Sequence, residues 1–317
     1  MSTEDFSWQD YLAPKYWPSW LGLGSMRILA ILPYRTQLFI GRRLGDLFAR
    51  LSPYRREIVQ TNIRLCFPEL SASEQQKLIR DHFHSIGISI AETALAWWAS
   101  DKKLRKMLTV KGYEHIEKAL KDKTGAILLG AHYTTTEIAG RMLNIDHKLA
   151  VSYQKMRNPI FNHMTLKGRE KCMDRVFGRD EIRATFRYIK QNHLMWIAVD
   201  QDAGIENSLF IPFFGTQAAS QTVASRMAKV TKAPVIPYIS RRLDNARGYV
   251  IEFLPPLENF PGDSLEEDTL RTNQILEKFI RQAPEQYLWV HRRFKTRPEG
   301  EPKLYRKKPR RARRNKK

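Results

Sequence analysis

The chain has 317 residues, of which 42% are hydrophobic and 11% aromatic, and its formal net charge is +21. This composition excludes an intrinsically disordered chain and predicts one domain with a substantial core. The two cysteines, Cys66 and Cys172, form neither a CxxC pair nor a zinc-ligand spacing, so we expect no disulfide framework and no metal site.

Basic charge is spread over the whole chain. The last 12 residues, RKKPRRARRNKK, hold nine Lys and Arg side chains, and removing these nine from the total leaves +12 for the remainder. We expect this tail, residues 306–317, to be disordered, because it is a low-complexity run of like charges. A basic body favours polyanionic partners: nucleic acid, anionic lipid or an acidic carrier protein.

Residues 1–100 are predicted to form an N-terminal helical region that associates with a membrane. The first ten residues, MSTEDFSWQD, are acidic and polar, which does not fit a secretory signal peptide and favours the cytoplasmic side. Residues 17–40 are apolar but contain Arg27, Pro33 and Arg35. We expect a helix that lies at the membrane interface or spans it marginally. The aromatic residues expected at headgroup depth are Trp17, Trp20 and Tyr34. The alternative is an amphipathic helix packed on the protein's own core.

Helical periodicity continues from residue 36 to about residue 100, before any predicted strand. The longest of these helices is predicted to begin at the sequence Ser71-Ala-Ser-Glu74. An S-x-x-E spacing before an apolar run is typical of a capping box, in which the two side chains bind each other's backbone N–H groups.

Residues 101–305 are predicted to form an α/β core. The apolar strand candidates are residues 125–131, 148–153, 193–200, 233–240 and 248–254. Helices are predicted from about Thr134, from about Pro159, and over about 219–231 and 265–281. This alternation predicts an α/β fold in which helices cover a central mixed sheet. In such sheets the functional residues gather at the carboxyl ends of the strands.

The stretch GAHYTTTEIAG contains the first candidate pair. His132 directly follows a predicted strand, and Glu137 lies in the first turn of the next helix, from which its carboxylate can reach back towards the imidazole. A catalytic pair is one interpretation. The other is structural, because Thr134 and Glu137 have the T-x-x-E spacing of a capping box.

Asp200 and Asp202 end another predicted strand, so they can converge with His132 at one edge of the sheet. As metal ligands they would need a third partner that the sequence does not identify, and a role in anchoring the following loop is the alternative. Arg169 can bind a phosphate through two parallel hydrogen bonds, or it can be a solvated surface side chain.

The segment APEQYLWVHRRFKTRPEG, which is strand-like at its apolar start, interleaves aromatic residues with cationic and titratable ones. The cationic and titratable residues are His291, Arg292, Arg293, Lys295 and Arg297. Such a mixture suits a lipid headgroup surface or nucleic acid. No RNP motif, helix-turn-helix spacing or zinc finger accompanies it, so we expect no nucleic-acid partner.

Together these blocks resemble the late acyltransferases of lipid A biosynthesis, the lauroyl/myristoyl transferase family of the lysophospholipid acyltransferase superfamily. His132 and Glu137 match the family's His-x-x-x-x-Asp/Glu signature. Asn158-Pro159 with Arg169 is similar to its second block, and Asp200 with SLFIPFFGTQAAS to its third. The C-terminal APEQYLWVHRRFKTRPEG is similar to the lauroyl-transferring branch. The chain departs from that branch in its basic tail and in VDQDAG, where the branch often has DHDYG.

The resemblance implies transfer of a fatty acyl group, with lauroyl expected, from acyl carrier protein to a hydroxyl on an acyl chain of a Kdo-bearing lipid A precursor. It implies that this occurs on the cytoplasmic face of the inner membrane and needs no cofactor. His132 would be the general base and Glu137 the partner that fixes its tautomer, with Arg169 and Asp200 binding the acceptor or organising the site. The alternatives are a glycerolipid acyltransferase with the same pair and a non-enzymatic basic protein that binds anionic membranes.

Overall fold

A computed structural model of the chain describes residues 7–178, 180–206 and 208–306. Its strands, in chain order, are β1 (Leu108–Lys111), β2 (Ala126–Gly130), β3 (Leu149–Tyr153), β4 (Arg175–Gly178), β5 (Leu194–Ala198), β6 (Ser208–Phe213), β7 (Thr216–Gln221), β8 (Val235–Arg242) and β9 (Tyr249–Phe253). Seven of them form one sheet in the order β1-β9-β8-β2-β5-β3-β4, and β6 and β7 form a separate hairpin. Apart from Arg306, the tail predicted to be disordered lies outside the described residues.

The sheet is mixed, as predicted. All its neighbouring strands run parallel except β8 and β9, which are antiparallel. Strand β2, with the sequence AILLG, is buried along its whole length. A strand with helices on both faces of its sheet reads as a continuous apolar run, which is why β2 was recognisable in the sequence.

Helices cover both faces of this sheet. They are α1 (Trp17–Ile31), α2 (Tyr34–Leu51), α3 (Pro53–Cys66), α4 (Ala72–Trp98), α5 (Asp101–Arg105), α6 (Tyr113–Lys121), α7 (Thr136–Leu143), α8 (Pro159–Cys172), α9 (Ile182–Lys190), α10 (Val223–Thr231) and α11 (Leu265–Gln282). The N-terminal helices α1, α2 and α3 pack on α4, which in turn contacts α7 and α8. Helix α4 therefore connects the N-terminal helices to the sheet.

The predicted capping box at the start of α4 is confirmed. The Ser71 hydroxyl accepts a hydrogen bond from the Glu74 backbone N–H at 3.3 Å, and the Glu74 carboxylate accepts one from the Ser71 backbone N–H at 2.8 Å. The helix therefore begins at the residue after Ser71.

One face of α1 packs on the protein and the opposite face is exposed. The exposed apolar side chains recur at helical spacing: Trp17, Leu21, Ile28 and Ile31 are 58%, 71%, 61% and 71% accessible. Of the helices in the described ranges, none combines the length and apolar character that crossing a membrane requires.

Two of the three predicted headgroup anchors pack against the protein instead. The Trp20 indole donates a hydrogen bond to the Tyr11 carbonyl at 2.8 Å. The Tyr34 hydroxyl donates to the Tyr249 hydroxyl at 3.0 Å, and burial raises the pKa of Tyr34 to about 12. Of the three, only Trp17 is exposed as expected, at 58%.

The prediction of a helix from residue 219 was wrong at its start. Residues 208–221 form the β6–β7 hairpin, and α10 begins only at Val223. Phe214 and Gly215 form its turn with φ values of +49° and +74°. The apolar start of the C-terminal aromatic segment is likewise no strand; it has a 3-10 helix at Pro284–Gln286, followed by a single bridge between Tyr287 and Tyr133.

Helices α2 and α4 approach each other closely through glycine. A Cβ atom on Gly87 would lie 2.0 Å from the Gly41 carbonyl oxygen and 2.3 Å from the Gly45 backbone nitrogen. Both neighbouring atoms belong to the backbone, so a side chain could fit only if the helices moved apart.

We predict that Gly87→Ala lowers the free energy of unfolding by about 1 to 3 kcal/mol, which is typical of an overpacked interface. The matched control is Gly24→Ala in α1, where an added Cβ meets nothing within 4 Å. The control should be neutral or gain up to about 1 kcal/mol from the higher helix propensity of alanine. Denaturant unfolding followed by circular dichroism measures both. Equal stability of the two variants would contradict the close contact.

Candidate active site

The register of the sheet brings His132 and Asp200 together. Strands β2 and β5 are parallel neighbours, and Gly130 is paired with Ala198. His132 and Asp200 each lie two residues beyond that pair, at the carboxyl end of the sheet. The predicted convergence of these two strand ends is therefore present in the structure.

Asp200 holds the His132 ring through a direct hydrogen bond. The distance from His132 Nδ1 to Asp200 Oδ1 is 2.7 Å, and the same oxygen accepts the His132 backbone N–H at 3.2 Å. The Asp200 side chain is 2% exposed and that of His132 is 29% exposed. Burial alone would raise the pKa of Asp200, but the charge and hydrogen bonds of His132 outweigh it and lower that pKa to about 2. An ionised carboxylate at Nδ1 places the proton of the neutral ring on that nitrogen and leaves Nε2 free to accept one.

The loop that carries His132 is fixed by a segment from the far end of the chain. The His132 carbonyl accepts a hydrogen bond from the Leu288 backbone N–H at 2.9 Å, and the Thr134 backbone N–H donates to the Gln286 carbonyl at 2.8 Å. The Thr134 hydroxyl is bonded to Ser85 of α4 at 2.7 Å. The imidazole is therefore positioned from both sides of its loop.

The Glu137 carboxylate neither closes a capping box nor hydrogen-bonds to the His132 ring. The hydroxyl of Thr134 binds Ser85, and α7 begins at Thr136 without a side-chain cap, so the predicted capping box is wrong. Nor is Glu137 the hydrogen-bond partner of the imidazole, which binds Asp200. The Glu137 carboxylate instead forms an ion pair with Arg169: the Nε of Arg169 donates to both carboxylate oxygens at 3.0 and 3.2 Å, and its Nη2 contacts one of them.

The ion pair joins α7 to α8. The two side chains are 22% and 20% exposed, and the Arg169 guanidinium also lies 5.3 Å from the centre of the Tyr153 ring. Arg169 is therefore neither a solvated surface arginine nor an unpaired cation, because the charge of Glu137 already compensates its own.

Asp202 anchors the C-terminal segment. Its carboxylate accepts hydrogen bonds from the backbone N–H and the hydroxyl of Thr296 at 2.6 and 2.9 Å, and from the Gly204 backbone N–H at 3.1 Å. These contacts support the loop-anchoring alternative. In the part of the chain that the structure describes, no cluster of His, Cys, Asp and Glu side chains is arranged to hold a metal ion.

The whole chain is also similar in sequence to proteins of known family. The family model described as "Bacterial lipid A biosynthesis acyltransferase" matches residues 4–296. The chain belongs to this family. It is 35% identical to the lipid A biosynthesis lauroyltransferase of Escherichia coli (strain K12), over 93% of this chain and 96% of that protein. Identity to the palmitoleoyltransferase of the same organism is 33%, over 94% and 97% of the two chains, and to its myristoyltransferase 30%, over 93% and 92%.

Membership of the lipid A acyltransferase family makes the chain an acyltransferase and its substrate a lipid A precursor. The three relatives carry names that specify different acyl chains, and their identities to this chain differ by only a few per cent. Family membership alone therefore does not determine which acyl chain the enzyme transfers.

In this acyltransferase the C-terminal cations divide into internal and exposed groups. Arg293 is 2% exposed and donates to the Ala219 carbonyl and the Ser220 hydroxyl, both at 2.7 Å. Arg297 binds the carbonyl of Gln217. These two hold the β6–β7 hairpin, so the expected headgroup surface is limited to the exposed residues of the segment.

His291 is the site residue whose position the sequence did not reveal. Its ring centre lies 6.0 Å from that of His132, and the Trp196 ring contacts His132 edge-on at 5.8 Å. The only signal in the sequence was a histidine within an apolar, aromatic segment. Such a signal does not indicate which strand end the segment will approach.

We predict that Glu137→Gln and Arg169→Gln are coupled in a double-mutant cycle of unfolding free energies, with a coupling energy of about 1 to 3 kcal/mol. The reason is that both side chains are largely shielded from water. The control cycle uses Glu69 and Arg281, an ion pair in which both side chains are 51% exposed, and should give about 0.2 to 1 kcal/mol. Coupling no larger than in the control would mean that the pair does not join α7 to α8.

Proposed function

We propose that this enzyme transfers a fatty acyl group, with lauroyl preferred, from acyl carrier protein to a hydroxyl on an acyl chain of a Kdo-bearing lipid A precursor. The observation that carries the proposal is the His132–Asp200 pair at the carboxyl ends of adjacent strands, in a chain that belongs to the lipid A acyltransferases. The lauroyl preference rests on the name of one relative and on the C-terminal resemblance.

His132 acts as the general base in this proposal. Asp200 keeps the proton on Nδ1, so Nε2 can take the proton of the acceptor hydroxyl as that oxygen attacks the thioester carbonyl. The buried carboxylate then stabilises the imidazolium that forms. General base catalysis of this kind contributes about 10²- to 10⁴-fold to the rate.

Asp200 thus takes the role that the resemblance gave to Glu137. We propose that Glu137 and Arg169 are positioning residues, which hold the start of α7 against α8 and so fix the loop that precedes it. A carboxylate engaged by a guanidinium is poorly placed to orient an imidazole as well, and the compensated guanidinium is a weaker ligand for an acceptor phosphate.

Exposed cations near His291 suit an acidic carrier protein. Arg55 donates to the Val290 carbonyl at 2.8 Å, directly beside His291, while Arg292 and the half-exposed Lys295 lie in the same segment. Positive charge around a site opening increases the rate of encounter with an acidic partner. We therefore propose that acyl carrier protein approaches from this side.

The exposed face of α1 supports a location on the cytoplasmic face of the inner membrane. The apolar side chains of α1 form one stripe, and α2 also exposes Phe39, Leu47 and Leu51, accessible by 61%, 50% and 72%. The same helix exposes Arg35, Arg43 and Arg50. Apolar side chains next to cations are typical of helices that lie in the interface of an anionic bilayer.

We predict that His132→Ala abolishes transfer of lauroyl from acyl carrier protein to the Kdo-bearing precursor, measured by thin-layer analysis with purified protein. Asp200→Asn should lower kcat by about 10²- to 10⁴-fold, because an amide neither fixes the tautomer nor stabilises the imidazolium. Glu137→Gln should lower kcat less than Asp200→Asn does, because its carboxylate acts through Arg169.

Other results of this assay would change the proposal. Residual activity of more than a few per cent in His132→Ala would remove His132 as the base. A larger loss in Glu137→Gln than in Asp200→Asn would return the role of imidazole partner to Glu137. Transfer to a lysophospholipid, with none to the Kdo-bearing precursor, would favour the glycerolipid acyltransferase alternative.

We predict that Ile28→Glu in α1 lowers the affinity of the enzyme for anionic vesicles, measured by flotation, because it places a charge in the apolar stripe. Val230→Glu in α10 is the matched control, since Val230 is also an exposed aliphatic residue, at 47%. Equal binding by the two glutamate variants would exclude the α1 stripe as the membrane contact.

Removal of the basic tail, residues 306–317, should weaken binding to anionic vesicles at low salt only and spare turnover in detergent micelles.

A further inference from the structure

A second histidine, His291, lies close to His132 and takes no part in the hydrogen bond between His132 and Asp200. His291 belongs to the irregular segment that closes over the end of the sheet, and the centres of the two imidazole rings are 6.0 Å apart. The backbone around it is firmly held: the buried Asn62 amide donates to the carbonyls of Trp289 and His291 at 2.7 and 2.8 Å. The position of the His291 ring is therefore built into the fold.

The hydrogen bond of the ring defines where its proton lies. The Gln201 side-chain nitrogen is 3.1 Å from His291 Nε2, and an amide N–H can only donate to that ring nitrogen. Gln201 directly follows Asp200, and its backbone carbonyl accepts a hydrogen bond from the Gln221 side chain at 2.8 Å. With Nε2 accepting, the neutral ring carries its proton on Nδ1, which is left as a donor.

The surroundings keep His291 uncharged. Burial lowers its pKa, the neighbouring His132 and Arg55 lower it further, and the attraction of Asp200 only partly opposes them, so the pKa is about 4. His291 is therefore neutral at neutral pH. A neutral imidazole does not repel the imidazolium that forms on His132 during the reaction, and it does not compete with His132 for a proton.

We propose that His291 is a second catalytic residue, whose Nδ1–H donates a hydrogen bond to the carbonyl oxygen of the acyl thioester as that oxygen gains negative charge. The inference rests on the proposed function, because it assigns the donor for an acyl transfer in which His132 is the base. It gives the two histidines different tasks: His132 accepts a proton, and His291 polarises the carbonyl group.

With these two roles, every proton and electron pair of the acyl transfer is accounted for. The acceptor O–H loses its proton to His132 Nε2 while the oxygen forms a bond to the thioester carbon, and the electron pair of the C=O double bond moves to the carbonyl oxygen, which binds His291. When the C=O bond re-forms, the C–S bond breaks. The thiolate leaves with its electron pair and takes the proton back from His132, so both histidines return to their starting states.

The spacing of the rings suits these tasks. A general base works at about 2.6 to 3.2 Å from the hydroxyl oxygen, and an oxyanion donor at about 2.7 to 3.1 Å from the carbonyl oxygen. With the ring centres 6.0 Å apart, one reacting pair of hydroxyl oxygen and thioester carbonyl is small enough to contact both rings at once. Loss of one such donor lowers kcat by about 10²- to 10³-fold.

The test compares His291→Phe and His291→Asn with the wild-type enzyme, using the lauroyl thioester of acyl carrier protein and a Kdo-bearing lipid A precursor. Phenylalanine keeps the ring and removes the donor, whereas the asparagine amide nitrogen branches from Cγ as Nδ1 does and can still donate. We expect kcat to fall about 10²- to 10³-fold in His291→Phe with KM for the thioester changed less than threefold, and to fall less than tenfold in His291→Asn.

A matched control is His193→Phe, a half-buried histidine at the opposite end of β5 whose Nδ1 contacts the Tyr188 carbonyl at 3.1 Å. Its kcat should stay within about threefold of wild type. If His291→Phe does not fold, as judged by thermal unfolding, His291→Ala and His291→Asn make the same comparison between a missing and a retained donor.

Three outcomes would overturn the inference. The first is a folded His291→Phe enzyme with a kcat within threefold of wild type. The second is an equal loss in the asparagine variant and in the variant without a donor, which would show a packing role. The third is a change confined to KM. Absence of any transfer by the wild-type enzyme would instead refute the proposed function itself, and the inference with it.

Discussion

The in-register parallel pairing of β2 with β5 is the constraint on which the site depends. His132 and Asp200 are 68 positions apart in the chain, and this pairing places His132 Nδ1 only 2.7 Å from Asp200 Oδ1. Packing around the pair is tight, since a Cβ atom on Gly130 would lie 2.9 Å from Trp196 Nε1 and 3.1 Å from the Tyr238 ring. Any change that shifts these strands relative to each other would therefore separate the imidazole from its carboxylate.

A second element, the segment after α11, completes what the sheet begins. It is irregular, yet its backbone is hydrogen-bonded to the His132 loop. The Arg293 side chain donates to the β6–β7 hairpin, and the backbone N–H and hydroxyl of Thr296 donate to Asp202. Irregular backbone can be buried in this way only when its polar groups find partners. The hydrogen bonds that pair the backbone polar groups of this segment also hold the His291 ring close to that of His132.

Charge is arranged differently on the two sides of the site. Asp200 is buried and ionised because His132 lies against it, whereas His291 is neutral because burial and a nearby histidine act in the same direction. Glu137 and Arg169 neutralise each other farther along α7. The site thus contains one fixed negative charge, one proton acceptor and one neutral donor, which is a set suited to acyl transfer without a nucleophilic side chain.

Local patterns in the sequence determined much of the fold. The apolar runs of β2, β3 and β5, the Ser71–Glu74 capping box and the long helices were all predictable, because strand burial and helix capping depend on neighbouring residues. So was the position of His132 and Asp200 at strand ends. The partner of each side chain was decided only by the tertiary structure. The spacing of five residues suggested Glu137 for His132, but the strand order placed Asp200 there and α8 brought Arg169 to Glu137. Hydrogen bonds and ion pairs between distant segments depend on which strands and helices become neighbours, and that order is set by packing of the whole core.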